Sequence, residues 1–268
     1  MKHPKSGLCV LKKHCSQAAL AWIGLLLAGR CLAIAHGTQP TEAEFAAGMP
    51  WAVVIVSASG PGICTGSLIS STFVLTAAHC AGSGQTVLYG SRSREGARRV
   101  AVRESIRHPK FSRDPITHDL GLLRLVHPVR VPTVPVAGRA EAWSLLRPGA
   151  EAMILGWGKT SDGVDRPDIV LQARIRLTEV GIVGTHIAIR TLRGGACGGD
   201  SGGPLLMKAT DGQMVLLGVA SITDGNLCAA GGGLAGYTNV PALLDFIRAN
   251  VPDWTERPPP LDFGQTAH

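Results

Sequence analysis

Apolar stretches in this chain are short and recur throughout. Trp51–Val56, Cys64–Ile69, Thr72–Thr76, Ala152–Trp157, Val215–Ser221 and Gly236–Val240 are each about a strand long, and turn-forming residues punctuate the intervals between them. The 34 glycines and 17 prolines are scattered rather than clustered. This pattern predicts an all-β chain of many short strands joined by turns. One stretch breaks it. Pro241–Asn250 has helical spacing, with Leu243, Leu244 and Ile247 on one face, and predicts a short C-terminal helix. Pro128, Pro132 and Pro135 fall in Val126–Ala142, which reads as a connector between two β-rich halves. With 268 residues, 45% of them apolar, the chain is long enough for one large domain or two small ones with a sizeable core.

Residues 1–35 stand apart. They hold Lys2, Lys5, Lys12, Lys13 and Arg30 and no acid, and the apolar run Ala18–Gly29 leads to small-residue exits after Ala33 or Ala35. This is the pattern of a secretory signal segment, and the run is short for a membrane-spanning helix. An uncleaved anchor is the competing reading. The formal charge of +7 owes much to this segment: removing its five basic residues leaves 21 against 19 acids, so the remaining body is close to neutral. Charge therefore argues against a nucleic-acid or anionic-membrane partner. The expected location is extracellular or periplasmic, with no stable membrane association. Residues 253–268 include Pro258-Pro259-Pro260 and are expected to form a disordered tail.

Seven cysteines are present, and Cys9, Cys15 and Cys31 lie in the segment expected to be removed. Cys64, Cys80, Cys197 and Cys228 remain, and four cysteines allow three pairings between which sequence does not choose. Free thiols are the alternative. A zinc site is disfavoured, because close Cys pairs are absent. No metal or cofactor is expected.

Three places suggest chemistry. Gly194–Leu205 encloses Asp200-Ser201 between glycines, so Ser201 is presented rather than packed. The amides of Gly199 and Ser201 can point into one small space, as an oxyanion hole requires. His79 follows two alanines and precedes Cys80, which leaves its ring room to project; alone it would read as an ordinary surface or core histidine. Asp119 opens the apolar run to Leu125, where a buried carboxylate needs a partner, although an exposed turn residue is the simpler alternative. His118 beside it reads as a solvated neighbour. The basic loop Ser91–Arg99 reads as solvated rather than as an anion or polysaccharide site, having Glu95 as its only acid and no interleaved aromatic.

Together these residues make the chain resemble the trypsin/chymotrypsin-like serine proteases. The carrying motifs are Leu75-Thr-Ala-Ala-His-Cys80, Asp119-Leu-Gly-Leu-Leu-Arg-Leu125, Gly156-Trp-Gly158 and Gly199-Asp-Ser-Gly-Gly-Pro204, with Pro50-Trp51 and the terminal helix in support. The His, Asp, Ser order is that of chymotrypsin. The resemblance implies two antiparallel Greek-key β-barrels of six strands each, at about residues 36–140 and 141–252, with the active site between them. It implies a triad of His79, Asp119 and Ser201, and an oxyanion hole from the amides of Gly199 and Ser201. It gives Asp200 the role of anchor for a new N-terminal amine, and Ile34-Ala-His-Gly37 resembles the family's start. It implies the bridges Cys64–Cys80 and Cys197–Cys228. A third bridge usual in the family has no cysteines here, because Leu171–Ile189 contains none.

Alignment to the motifs places the substrate pocket at Gly195, Ser221, Thr223 and Ala235. Gly195 stands where trypsin-like members carry an Asp, and Thr223 replaces a usual glycine, so cleavage after small or medium apolar residues is expected. The expected protein is a monomeric secreted serine endopeptidase acting on protein or peptide substrates and open to protein protease inhibitors. The alternative is a catalytically impaired, protease-like binding protein.

Overall fold

The computed structural model describes residue 34 and residues 37–58, 60–159, 168–192, 195–224 and 232–257. The proposed signal segment, apart from Ile34, lies outside the described residues, as does Cys228. Among the described residues no helix is long and apolar enough to cross a membrane.

Two closed six-stranded antiparallel barrels form the body of the chain. The first is built from β1 (Ala52–Ser57), β2 (Ile63–Leu68), β3 (Phe73–Thr76), β4 (Gln85–Tyr89), β5 (Arg98–Arg107) and β8 (Gly121–Leu125), and closes in the order β1-β2-β3-β8-β5-β4. A small hairpin, β6 (Ser112–Arg113) with β7 (Ile116–Thr117), lies in the loop before β8. The second barrel comprises β9 (Glu151–Gly156), β10 (Leu171–Val183), β11 (His186–Thr191), β12 (Pro204–Lys208), β13 (Met214–Thr223) and β14 (Gly233–Asn239). Its order is β10-β11-β14-β13-β12-β9. Closure leaves no long unpaired strand edge in either barrel.

The strands follow the sequence pattern. β1 and β3 are apolar and buried along most of their length, whereas β10 alternates buried and exposed residues from Leu171 to Leu177. Beyond that point β10 extends to Val183 and turns back through Gly184, at φ 59°, into β11. That hairpin occupies the segment lacking the family's third bridge.

The interior of the first barrel continues into the seam between the barrels, where Leu75 and Leu122 share one core with Leu155, Trp157 and Leu206. The second barrel has its own core around Ile154, Leu171, Ile187 and Tyr237, and Ile34 is fully buried in it. The basic loop is not loosely solvated. Trp157 donates its indole N–H to Arg92 O at 3.0 Å, Arg92 pairs with Glu42, and Arg98 stacks 4.8 Å over the Tyr89 ring.

Among the described residues three short helices flank the barrels. α1 (Glu42–Gly48) starts with a capping box in which Thr41 and Glu44 satisfy each other's amides. α2 (Arg139–Leu145) occupies the end of the expected connector. The C-terminal helix is a 3-10 turn at Val240–Leu243 running into α3 (Leu244–Asn250), which buries Leu244, Phe246 and Ile247. Residues 253–257, expected to begin a disordered tail, are instead docked. Trp254 N donates to Val251 O at 3.1 Å, and the largely buried Arg257 pairs with Glu141 and Asp211. Residues 258–268 lie outside the described residues.

Cys64 on β2 is bonded to Cys80, closing a sequence separation of 16 residues. Replacing both with Ser is expected to lower stability by about 3 kcal/mol on the loop-closure estimate. Urea denaturation of the purified double variant measures this, and an unchanged midpoint would contradict it.

Candidate active site

His79 sits on a one-turn 3-10 helix, Ala78–Cys80, directly after β3. Ala77 and Ala78 are fully buried and Cys80 is tied to β2, so the turn is fixed while the imidazole reaches the surface at 23% exposure. Asp119 lies two residues before β8 and is fully buried. It holds His79 at two points. His79 N donates to Asp119 Oδ1 at 2.9 Å, and His79 Nδ1 lies 2.7 Å from Asp119 Oδ2. An ionised carboxylate only accepts, so Nδ1 carries a proton, and in the neutral imidazole Nε2 keeps its lone pair. Burial opposes ionisation of Asp119, but the hydrogen bonds and charge of His79 and the Ser221 hydroxyl outweigh it and hold the carboxyl below its ordinary range.

Although Asp119 belongs to the first barrel, the second barrel supports it. Thr238 Oγ1 on β14 donates to Asp119 O at 2.8 Å, and His118 N donates to Thr185 Oγ1 at 2.8 Å. Ser221 Oγ donates to Asp119 Oδ2 at 2.6 Å. The register of β13 against β14 shifts between Ala220 and Ile222, leaving Ser221 as the extra residue of a bulge. Such bulges re-aim side chains next to sites, and this one turns the Ser221 hydroxyl onto the carboxylate.

His118 is not a solvated neighbour. It has a left-handed φ of 49°, its ring stacks on His108 at 4.8 Å, and its Nδ1 is buried with no hydrogen-bond partner among the described residues.

Ser201 is held by its backbone. Thr65 N donates to Ser201 O at 2.8 Å, Gly202 N to Ala220 O at 2.8 Å and Gly203 N to Asp200 O at 2.8 Å. Because Ala220 adjoins Ser221, the serine loop and the Asp119 support meet on one strand. The amides of Gly199 and Ser201 donate to no acceptor among the described residues, which leaves both available to a ligand oxygen. No hydrogen bond joins Ser201 Oγ to His79 among the described residues. Such contacts often tighten only when substrate is bound.

Asp200 is fully buried beneath the loop. It accepts from Gly158 N and Cys197 N, both at 2.8 Å, and forms no ion pair among the described residues. Burial pushes its carboxyl up to about 6, against the pull of those two amides. The Gly156-Trp-Gly158 motif makes room for it: a Cβ on Gly156 or Gly158 would come within 2.2 Å or 2.6 Å of the carboxylate. Cys197 is disulfide-bonded.

Beside Ser201 lies a small cavity of about 100 Å³ lined by Ser201, Ser221, Thr223, Ala235 and Tyr237 among others. Three of the four expected pocket residues therefore meet there. Gly195 is buried but does not line the cavity. Among the described residues no charged side chain lines it, and its volume suits a few heavy atoms. One group among the described residues has metal-ligand proximity, Cys64, His79 and Cys80, but both sulfurs are consumed by the disulfide.

Comparisons with known proteins agree with this geometry. A family model described as Trypsin matches residues 36–247. The chain belongs to the trypsin family. It is 33% identical to human trypsin-3 over 218 residues, covering 72% of this chain and 66% of that protein. It is 32% identical to Drosophila melanogaster serine protease 1 over 225 residues, covering 74% of this chain and 79% of that protein. Similarity also extends to the bovine suppressor of tumorigenicity 14 protein homolog, at 28% identity over 75% of this chain but only 26% of that protein. The chain thus spans about a quarter of that last relative and just under two thirds of trypsin-3.

Proposed function

We propose that this trypsin-family protein is a secreted serine endopeptidase that hydrolyses peptide bonds through Ser201, His79 and Asp119, cleaving after small or medium apolar residues. The observation that carries the reading is the two-point grip of Asp119 on His79, which leaves Nε2 as the ring's only proton acceptor. Serine is a weak nucleophile and needs such a base. In this reading His79 takes the Ser201 proton as the hydroxyl attacks the scissile carbonyl, then returns it to the leaving amine. Asp119 stabilises the imidazolium formed in between. The free amides of Gly199 and Ser201 receive the developing oxyanion, and losing one such donor typically costs about 3 kcal/mol of transition-state stabilisation. Water then releases the acyl group by the same route.

Activity-based labelling tests the assignment. A fluorophosphonate is expected to label the secreted protein, and Ser201→Ala to abolish the label. A wild type that stays unlabelled would favour a protease-like binding protein.

Specificity is supported by the described part of the cavity lining: its small volume and the uncharged residues that line it suit Ala, Val or a similar side chain better than Lys or Arg. Profiling with a peptide library is expected to show cleavage after such residues, and dominant cleavage after Arg would overturn the assignment.

Asp200 supports a further element of the reading, in which removal of the segment ahead of Ile34 frees an amine to pair with it. Ile34 is fully buried in the second barrel's core, and its φ of 45° is strained for a β-branched residue. Cutting after Ala33 removes that torsion. The sign of the pH effect separates the two forms. In the uncut chain the folded-state pKa of Asp200 lies above its unfolded value, so stability falls as pH rises from about 4 through about 6. Once the Ile34 amine pairs with it, ionisation is favoured and the trend reverses. Thermal melts of the secreted and uncut proteins across this range, with the N-terminus sequenced, check both. A mature start elsewhere than Ile34 would refute the anchor.

A further inference from the structure

Behind Asp119 lies a second histidine that the reaction scheme above does not use. His186 opens β11 and is 6% exposed. Its Nε2 lies 3.1 Å from Ser221 Oγ, which in turn lies 2.6 Å from Asp119 Oδ2. A serine hydroxyl has one proton and two lone pairs. Asp119 is ionised and can only accept, so the Ser221 proton points at Asp119. The hydroxyl therefore meets His186 with a lone pair, and His186 must supply the proton between them.

We propose that His186 is a positioning residue for the candidate triad: with its proton on Nε2 it donates to Ser221 Oγ and fixes the Ser221 hydroxyl as a donor to Asp119. The proposal rests on the serine-endopeptidase reading. The chain of donors runs His186 Nε2–H to Ser221 Oγ–H to Asp119 Oδ2, and His79 Nδ1–H reaches the same oxygen from the other side.

Two independent features favour a neutral, fixed imidazole. The Ser221 bulge on β13 brings the hydroxyl to the ring, and the strands flanking His186 set Val183 of β10 and Thr238 of β14 opposite it, neither of which titrates. The ring edge lies beside Gly236, where an added Cβ would come 3.8 Å from Cδ2. The titratable groups facing it come from the loop before β8. Asp119 favours the charged ring and His118 opposes it, with His79 beyond Asp119 and His108 stacked on His118. Burial is the largest influence and pushes the His186 pKa down, so the neutral form prevails at neutral pH.

Without the His186 donor, the Ser221 hydroxyl is free to turn away from Asp119. The carboxylate then has one donor fewer and binds the imidazolium of His79 more strongly. The acid limb of the kcat/KM profile should consequently move to higher pH. Two measurements on the full-length secreted protein test this. Imidazole 15N spectra at pH 7 should show His186 neutral with its proton on Nε2; a proton on Nδ1 instead would overturn the proposal without any variant. His186→Leu should raise the acid limb by about half a pH unit to one unit, the worth of one hydrogen bond. His186→Gln, whose amide can donate from a similar place, should stay near wild type. An unmoved acid limb in the Leu variant, with kcat/KM reduced equally at every pH, would mark His186 as packing alone. Failure of fluorophosphonate labelling would sink the endopeptidase reading, whereas the tautomer of His186 is read without turnover.

Discussion

Asp119→Asn is expected to lower kcat by about 10⁴ at neutral pH while leaving the fold intact. Every oxygen of Asp119 faces a donor: the His79 amide at Oδ1, and both His79 Nδ1 and the Ser221 hydroxyl at Oδ2. An asparagine amide must set its NH₂ against one of these sides. Facing the backbone N–H, it opposes donor to donor and loses the 2.9 Å bond. Facing the ring, it forces His79 to carry its proton on Nε2, the atom that receives the Ser201 proton in the proposed reaction. Because the ring-facing side offers the larger relief, the wrong tautomer dominates. Steady-state kinetics with a wild-type-like circular dichroism spectrum check the prediction; a loss under tenfold would mean that Asp119 does not set the tautomer.

Gly202→Ala is expected to be severely destabilising. Gly202 has a φ of +81°, and a Cβ there would lie 2.0 Å from Thr76 Oγ1 and 2.4 Å from Thr65 O. The backbone oxygen cannot swing aside, because β2 is fixed by its barrel neighbours and by the Cys64–Cys80 bond. Strain and overlap together should exceed about 4 kcal/mol, the range reserved for gross steric conflict. The methyl would push Ser201 away from the Thr65 amide and the proposed oxyanion donors out of line. Fluorophosphonate labelling and the melting temperature should fall together. A variant that melts and labels like wild type would show the loop to be slack.

The strands were readable because each is apolar, short and punctuated, and that pattern survives folding. Residues paired through space were harder to read. α1 has a local signal in Thr41-Glu-Ala-Glu44, a capping box that sequence inspection can find, whereas α2 follows prolines that suggest only a connector. The motifs located His79, Asp119 and Ser201, but their alignment gave Ser221 a pocket role alone. Its second role depends on a bulge, and a bulge is a mismatch of register between two strands that neither strand's sequence reveals by itself. His186 was missed for the same reason: it meets Ser221 only across β14. Arg257 was assigned to a loose tail because its partners, Glu141 and Asp211, are distant along the chain.

The support that the second barrel gives to Asp119 also sets an order of events during synthesis. His79 and Asp119 are made early, yet the Asp119 carbonyl waits for Thr238 and its carboxylate for Ser221. Until both are in place, Asp119 holds His79 without these two supports. On the endopeptidase reading, an incomplete chain that ends before β14 lacks the Thr238 support of Asp119.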